Sequence, residues 1–170
     1  MNMKKLVTSA FLMILVSISC ADEIADKFAI SEMLAEYSYR WDAKASEEFA
    51  DLFTDDSVLE TWRGEVLVNK VEGKHNILGY AEQSHKVRLI DRQTRHHFSG
   101  LVFKTLSETA AITENMALIT HQTAGDQQPI IRSSGVYRIS WEKKSEGWKM
   151  SKRILFVDSL DFTLNDDAVR

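Results

Sequence analysis

Between residues 94 and 160 the chain repeats one pattern. Four long stretches, 94–105, 109–124, 131–143 and 147–160, are rich in Val, Ile, Thr, Phe, Tyr and Trp. The turn signals "LSET", "AGDQQP" and "KKSEG" separate them. Such runs, bounded by turn residues, read as β-strands, and short connections make consecutive strands antiparallel neighbours. Pro129, the one proline, falls in a loop, where the N–H it lacks costs no ladder bond. This run constrains the fold most: whatever precedes it has to cover one face of a sheet.

The preceding residues have the helical period. In "EIADKFAISEMLAEYSYRWD", residues 23–42, the apolar groups Ile30, Leu34, Tyr37 and Trp41 fall three and four apart on one face. Asp22 and Glu23 suit the positive end of a helix dipole. A short second helix is predicted at "SEEFADLF", with Ser46 as N-cap and Phe49, Leu52 and Phe53 as its buried face. "TDD" reads as a turn. "SVLETW" and "EVLVNKV" read as short strands joined around Arg63 and Gly64, and Gly73 opens a further helical stretch carrying Ile77, Tyr80 and Ala81. Helices first and strands after give an α+β layout, with the helices packed on one face of the sheet. A strongly curved antiparallel sheet with a long helix across its concave face leaves a dead-end pocket suited to a small molecule.

With 170 residues, the chain is long enough for one domain with its own core. The formal net charge is −4 and no basic stripe is present, so nucleic acid is not expected as a partner. Residues 1–21 read as a signal peptide: Lys4 and Lys5 supply the basic end, "LVTSAFLMILVSIS" the apolar stretch, and Ser19 and Ala21 the small residues at the exit. The domain then spans 22–170, carries a charge of about −6 without the two lysines, and is expected in the periplasm or outside the cell. Cys20 is the only cysteine, which excludes an internal disulfide. It also leaves a second processing route, a lipid anchor at Cys20, although Ser17 stands where such sites usually carry Leu.

The candidate chemistry lies in Asp42, at the end of the first helix, His96 and His97 in "QTRHHFSG", His121 near the end of the next strand, and Arg153. Neighbours in a strand point to opposite faces, so only one of the histidine doublet can face a given pocket. A turn near residue 107 or 108 sets His96 opposite residue 119 or 120, and so near His121. Alternation alone does not choose between His96 and His97, because both faces of the strand are apolar. A histidine in apolar surroundings tends to be neutral, which suits a general base, and a carboxylate beside it fixes its tautomer. Taken singly, these residues have plain structural readings: a core histidine, a helix cap, a surface arginine. No H-x-H or H-x-x-x-H spacing supports a metal site, and none is expected.

Several segments together resemble the SnoaL-like branch of the NTF2-like superfamily. They are "EYSYRWD", "FADLFTDDSVLE", "TRHHFSG", "ETAAITENMALIT" and "SGVYRISWEKKSEGWKMSKR". The resemblance covers nearly all of residues 22–170. It implies a cone of helices lining a curved antiparallel sheet around a deep apolar pocket. Within the family, Asp42, His96 and His121 look like the catalytic groups of scytalone dehydratase. Tyr37 and Arg153 look like residues that matter in bile acid 7α-dehydratase. Trp41 and Thr61 stand where scytalone dehydratase has its two substrate-polarising tyrosines, and residues near Val136 and Arg138 replace its Ser and Asn, so scytalone itself is not the expected substrate. The resemblance thus implies a cofactor-independent dehydratase or isomerase for a small hydrophobic hydroxy or carbonyl compound, with Asp42, His96 and His121 catalytic and Tyr37, Trp41 and Arg153 binding substrate. The rival reading is a non-catalytic binding protein for a small hydrophobic ligand. A third has Asp42 alone as the base, unpaired and with a raised pKa. Tyr137, Ile139, Trp141 and Phe156 lie in the last strands; an outward-facing half of such a set would suit a homo-oligomer, dimer or trimer.

Overall fold

The computed structural model describes residues 3–158, with side chains described from Asp22 onward. The signal-peptide and Cys20 expectations, and the tail after Asp158, lie outside the residues whose side chains are described. Helix α1 runs Met3–Asp42 and α2 runs Ser46–Ala50. Strands β1 (Phe53–Arg63) and β2 (Val66–Glu72) form a hairpin, followed by α3 (Lys74–Gln83) and a π-helical turn at Ser84–Arg88. Strands β3 (Arg92–Leu106), β4 (Ala110–Thr123), β5 (Ile130–Lys144) and β6 (Gly147–Val157) complete one six-stranded sheet in the order β2-β1-β6-β5-β4-β3. The sheet is curved, and the helices pack against it. It is mixed rather than wholly antiparallel. β1 lies parallel to β6, because the hairpin that opens the sheet is joined to the rest through its last strand.

The predicted face of α1 is the buried one: Ile30, Leu34, Tyr37 and Trp41 enter the core with Phe49, Leu52, Phe53, Leu59, Ile77, Ile139 and Trp141. Each large apolar side chain taken from water stabilises the fold by roughly 1.5–3 kcal/mol. Polar contacts set the angle of α1. Asp26 accepts hydrogen bonds from Trp148 Nε1 at 2.9 Å and Lys143 Nζ at 2.7 Å, which fastens the helix to the β5–β6 hairpin. The other end of α1 is thereby aimed at β3.

Several local expectations fall differently. Ser46 does not cap α2; Ala45 holds the cap position without a side-chain bond, and the Ser46 hydroxyl is engaged by His85 instead. Thr54, Asp55 and Asp56 lie within β1, in a stretch where its register against β6 shifts. Tyr137, Ile139 and Trp141 all point inward and are buried, because the helices cover that face. Phe156 alone of that set lies on the outer face, opposite Val136 and under Arg138; the exposed apolar residues there are Val102, Ile112, Met116, Leu118 and Ile131. Strict alternation along β3 breaks at Gly100, whose φ of 64° is open to glycine at little cost. Before it, His96 and Phe98 face inward; after it, Phe103 pairs with Thr113 on the inner face, and Val102 turns to solvent.

Candidate active site

The end of α1 places Asp42. Lys44 takes the left-handed conformation at φ 60°, Ala45 N–H reaches back to Arg40 O, and Lys44 N–H reaches Trp41 O, both at 2.9 Å. This is a Schellman termination, which ends the helix beside β3. Lys44 Nζ also donates to Ile90 O at 3.2 Å, and Gln93 Nε2 to Asp42 O at 3.0 Å, so the helix end is tied to the start of β3.

There the Asp42 carboxylate takes three hydrogen bonds. Oδ1 accepts from Thr94 Oγ1 at 2.7 Å and from His96 Nδ1 at 2.8 Å, and Oδ2 accepts the His96 backbone N–H at 2.8 Å. The two side chains are almost closed to solvent, 8% exposed for Asp42 and 5% for His96. Burial pushes the Asp42 pKa up, but the bonds from His96 and Thr94 and the charge of His96 pull harder, and it lies below the ordinary carboxylate value. Asp42 is therefore an ionised acceptor, which excludes it as an unpaired base with a raised pKa. An ionised Asp42 at Nδ1 places the ring proton there and leaves Nε2 as the bare, basic nitrogen. Nε2 has no hydrogen bond among the described residues.

His96, not His97, is the inner member of the doublet. His97 is exposed, its Nε2 reaching only Thr120 Oγ1 at 3.4 Å on the outer face. His96 pairs with Ile119 and His121 with Thr94, so the two histidines are diagonal neighbours on the inner face. Burial pushes the His121 pKa down, and Arg132, Arg92 and Arg88 add to the effect, which keeps the ring neutral; its Nδ1 is buried without a partner. Tyr37 and Trp41 stand over His96, their ring centres 6.1 and 6.3 Å from its own. Arg153 is buried, its guanidinium carbon 5.9 Å from the Tyr37 ring centre. Two open clefts flank the pair between α1 and β3. One, of about 440 Å³, is lined by Ser38, Asp42 and His96 among others; the second, of about 580 Å³, by His96, Leu34, Phe98 and Asn115. Tyr37, Trp41, His121 and Arg153 line neither. Among the described residues, no three His, Cys, Asp or Glu side chains are grouped as metal ligands would be.

Two contributors are not signalled in the sequence. Thr94, 1% exposed, is the second side-chain donor to Asp42. His85, brought in by the π-helical turn, has its ring centre 4.6 Å from that of Trp41 and bonds Ser46 Oγ through Nδ1 at 2.8 Å. A π-turn inserts one residue into the helical frame, so helical periodicity does not place the residues within and beyond it.

Comparison with known proteins agrees with this architecture. A Mycobacterium tuberculosis protein of unknown function superposes with a TM-score of 0.70 at 20% identity, over 86% of this chain and 82% of the other. A protein named as a candidate scytalone dehydratase from Novosphingobium aromaticivorans gives 0.69 at 24% identity, over 86% and 93%. An NTF2-like protein with a cystatin-like fold, from the same organism, gives 0.69 at 16% identity, over 99% and 96%. At such identities the likeness is one of fold. No curated protein matches the chain. The SnoaL-like domain matches residues 22–154, and the chain belongs to that family, with the NTF2-like fold.

Proposed function

We propose that the protein is a cofactor-independent lyase or isomerase, dehydratase-like, for a small hydrophobic hydroxy or carbonyl compound. The observation that carries this reading is the triply bonded Asp42 holding His96 by Nδ1. In a dehydration, His96 Nε2 takes a proton from the carbon next to a carbonyl. The C–H electron pair becomes the C=C bond, and the β C–O bond breaks. The departing hydroxide takes the proton back from the His96 imidazolium and leaves as water. Neutral His121 donates a hydrogen bond to the leaving or developing oxyanion, which its lowered pKa suits better than full proton donation. Tyr37 and Trp41 shield the reacting carbon from water. Positioned acid–base groups of this kind are worth about 10²–10⁴ in rate each.

The test is a screen of β-hydroxy carbonyl compounds, followed by enone absorbance. Turnover is expected from the wild-type protein and lost in His96→Ala and Asp42→Ala. A hit whose turnover survives both changes removes the assignment. A second reading, a binding protein for a small hydrophobic ligand, draws on the close aromatic packing around Tyr37. It predicts saturable binding without turnover. The basic, apolar and small-residue order of the first 21 residues supports an exported protein, in the periplasm or outside the cell, with the lipid anchor at Cys20 as the other processing route. Mass spectrometry of the mature N-terminus separates the two.

A further inference from the structure

A buried polar atom ordinarily has a hydrogen-bond partner, because leaving water without one is costly. Asn115, on the inner face of β4 and 2% exposed, departs from this pattern. Its Nδ2 donates to Met116 O at 3.1 Å, while its Oδ1 is buried without a partner among the described residues. That bond fixes which end of the amide is which, since an oxygen set against Met116 O would be repelled. The free group is therefore an acceptor.

The strand register explains why β3 does not satisfy it. Ser99 pairs with Met116 and Val102 with Glu114, so Gly100 and Leu101 together face Asn115 in a bulge. Neither residue has a side-chain donor. On α1, small residues stand beside this stretch: Ser31, Ala35 and Ser38, four and three apart along one face. Bulge and small residues together bound the cleft of about 580 Å³ between α1 and β3, and Asn115 lines it.

The chemistry of that cleft is one-sided. The Ser31 hydroxyl donates to Lys27 O at 2.7 Å and the Ser38 hydroxyl to Ala35 O at 2.8 Å, so each oxygen has only lone pairs left to offer. Asn115 Oδ1 likewise calls for a donor. Among the described residues lining the cleft there is no Lys, Arg, Asp or Glu, and Leu34, Phe98 and Leu101 supply apolar surface. A carboxylate entering it would meet acceptors and no fixed cation. A hydroxyl on an apolar body supplies the proton that Oδ1 lacks.

We infer that Asn115 determines specificity: the cleft between α1 and β3 takes a neutral apolar alcohol or phenol whose hydroxyl donates to Asn115 Oδ1. His96 lines the same cleft. The inference rests on the proposed function only in making such a compound the one whose proton His96 removes.

The full chain is titrated with 2-naphthol, its methyl ether and 2-naphthoate, followed by ¹H–¹⁵N NMR. The naphthol should bind at least about fivefold more tightly than either, the worth of a net hydrogen bond. It should also shift the amides of Ser99, Gly100 and Leu101. Equal binding of naphthol and ether, tighter binding of the naphthoate, no saturable binding, or saturation that leaves those amides unmoved would each overturn the site. Asn115→Leu should erase the preference, and Asn115→Asp, which keeps an acceptor, should retain it. A preference that survives in folded Asn115→Leu would remove Asn115 from the role. The two ideas fail separately. A preference that depends on Asn115, with no β-hydroxy carbonyl compound turned over, leaves the site and removes the lyase reading. Turnover that depends on His96, with a KM unmoved in folded Asn115→Leu, leaves the lyase reading and removes the site.

Discussion

Asp42→Asn perturbs the site at its centre with almost no change of shape. The carboxylate now accepts at three points: Thr94 Oγ1, His96 Nδ1 and the His96 backbone N–H. An amide has one acceptor oxygen. If that oxygen keeps the backbone N–H, the NH₂ group takes the Oδ1 position and donates to Thr94 Oγ1 and to His96 Nδ1. The imidazole must then hold its proton on Nε2, the wrong nitrogen for a base. If the oxygen instead stays at Oδ1, the NH₂ faces the backbone N–H, and two donors meet. Three charge-assisted bonds become neutral or opposed, at about 1 kcal/mol each, so the fold should lose about 3 kcal/mol. Turnover should fall by about 10²–10⁴, the worth of a positioned base. Two-bond ¹H–¹⁵N spectra, recorded where the imidazole is neutral, read the tautomer directly. The wild-type protein should show His96 protonated at Nδ1, and Asp42→Asn should show it protonated at Nε2. A wild-type ring protonated at Nε2 would refute the reasoning, as would a variant with unchanged tautomer and unchanged turnover.

Thr94→Val removes one bond to a charged acceptor at a buried position and should cost about 1.5–3 kcal/mol by denaturant unfolding, with a smaller loss of turnover than Asp42→Asn. The buried histidines predict a pH dependence. Burial lowers the pKa of His85, with Lys44 and Arg88 adding to it, and burial and the nearby arginines lower that of His121. The unfolded chain therefore binds more protons in that range, and stability present above about pH 6.5 should be lost as the pH falls through the lowered values. Melting temperatures across that range check this, and His85→Gln should flatten the slope. Asp42 adds a second loss further down, below about pH 4, for the same reason of sign. The outer sheet face, with Met116 63% and Val102 53% exposed, is proposed to pair copies of the chain as a dimer or trimer. Met116→Lys should then shift the species seen by light scattering toward monomer, and a monomeric wild-type protein would dismiss the pairing.

The fold was largely legible because its two periods are clean. Ile30, Leu34, Tyr37 and Trp41 mark one helical face, and the four long strands sit between strong turn signals. Short turns fix register, so the pairing of His96 with Ile119 followed from counting back from the β3–β4 turn. That register, with the position of Asp42, separates His96 from His97. What stayed hidden depends on three-dimensional choices. Alternation gives two faces of β5 without saying which one the helices cover, and Tyr137, Ile139 and Trp141 are on the covered one. Gly100 reverses the phase of β3 with no signal beyond its own identity. Thr94 matters only because a helix end 52 residues earlier arrives beside it. His85 depends on a π-turn, and the lack of a carboxylate partner for Arg153 among the described residues is a property of the packed core.

The proposed chemistry requires His96 to take a proton from carbon, and isotope exchange tests that step without requiring full turnover. Carbonyl compounds that bind the protein are incubated with it in D₂O, and the loss of the α-proton signal is followed by NMR. The wild-type protein should exchange that proton far faster than buffer, Asp42→Asn slowly, and His96→Gln no faster than buffer. Exchange that persists undiminished in folded His96→Gln would contradict the role assigned to His96.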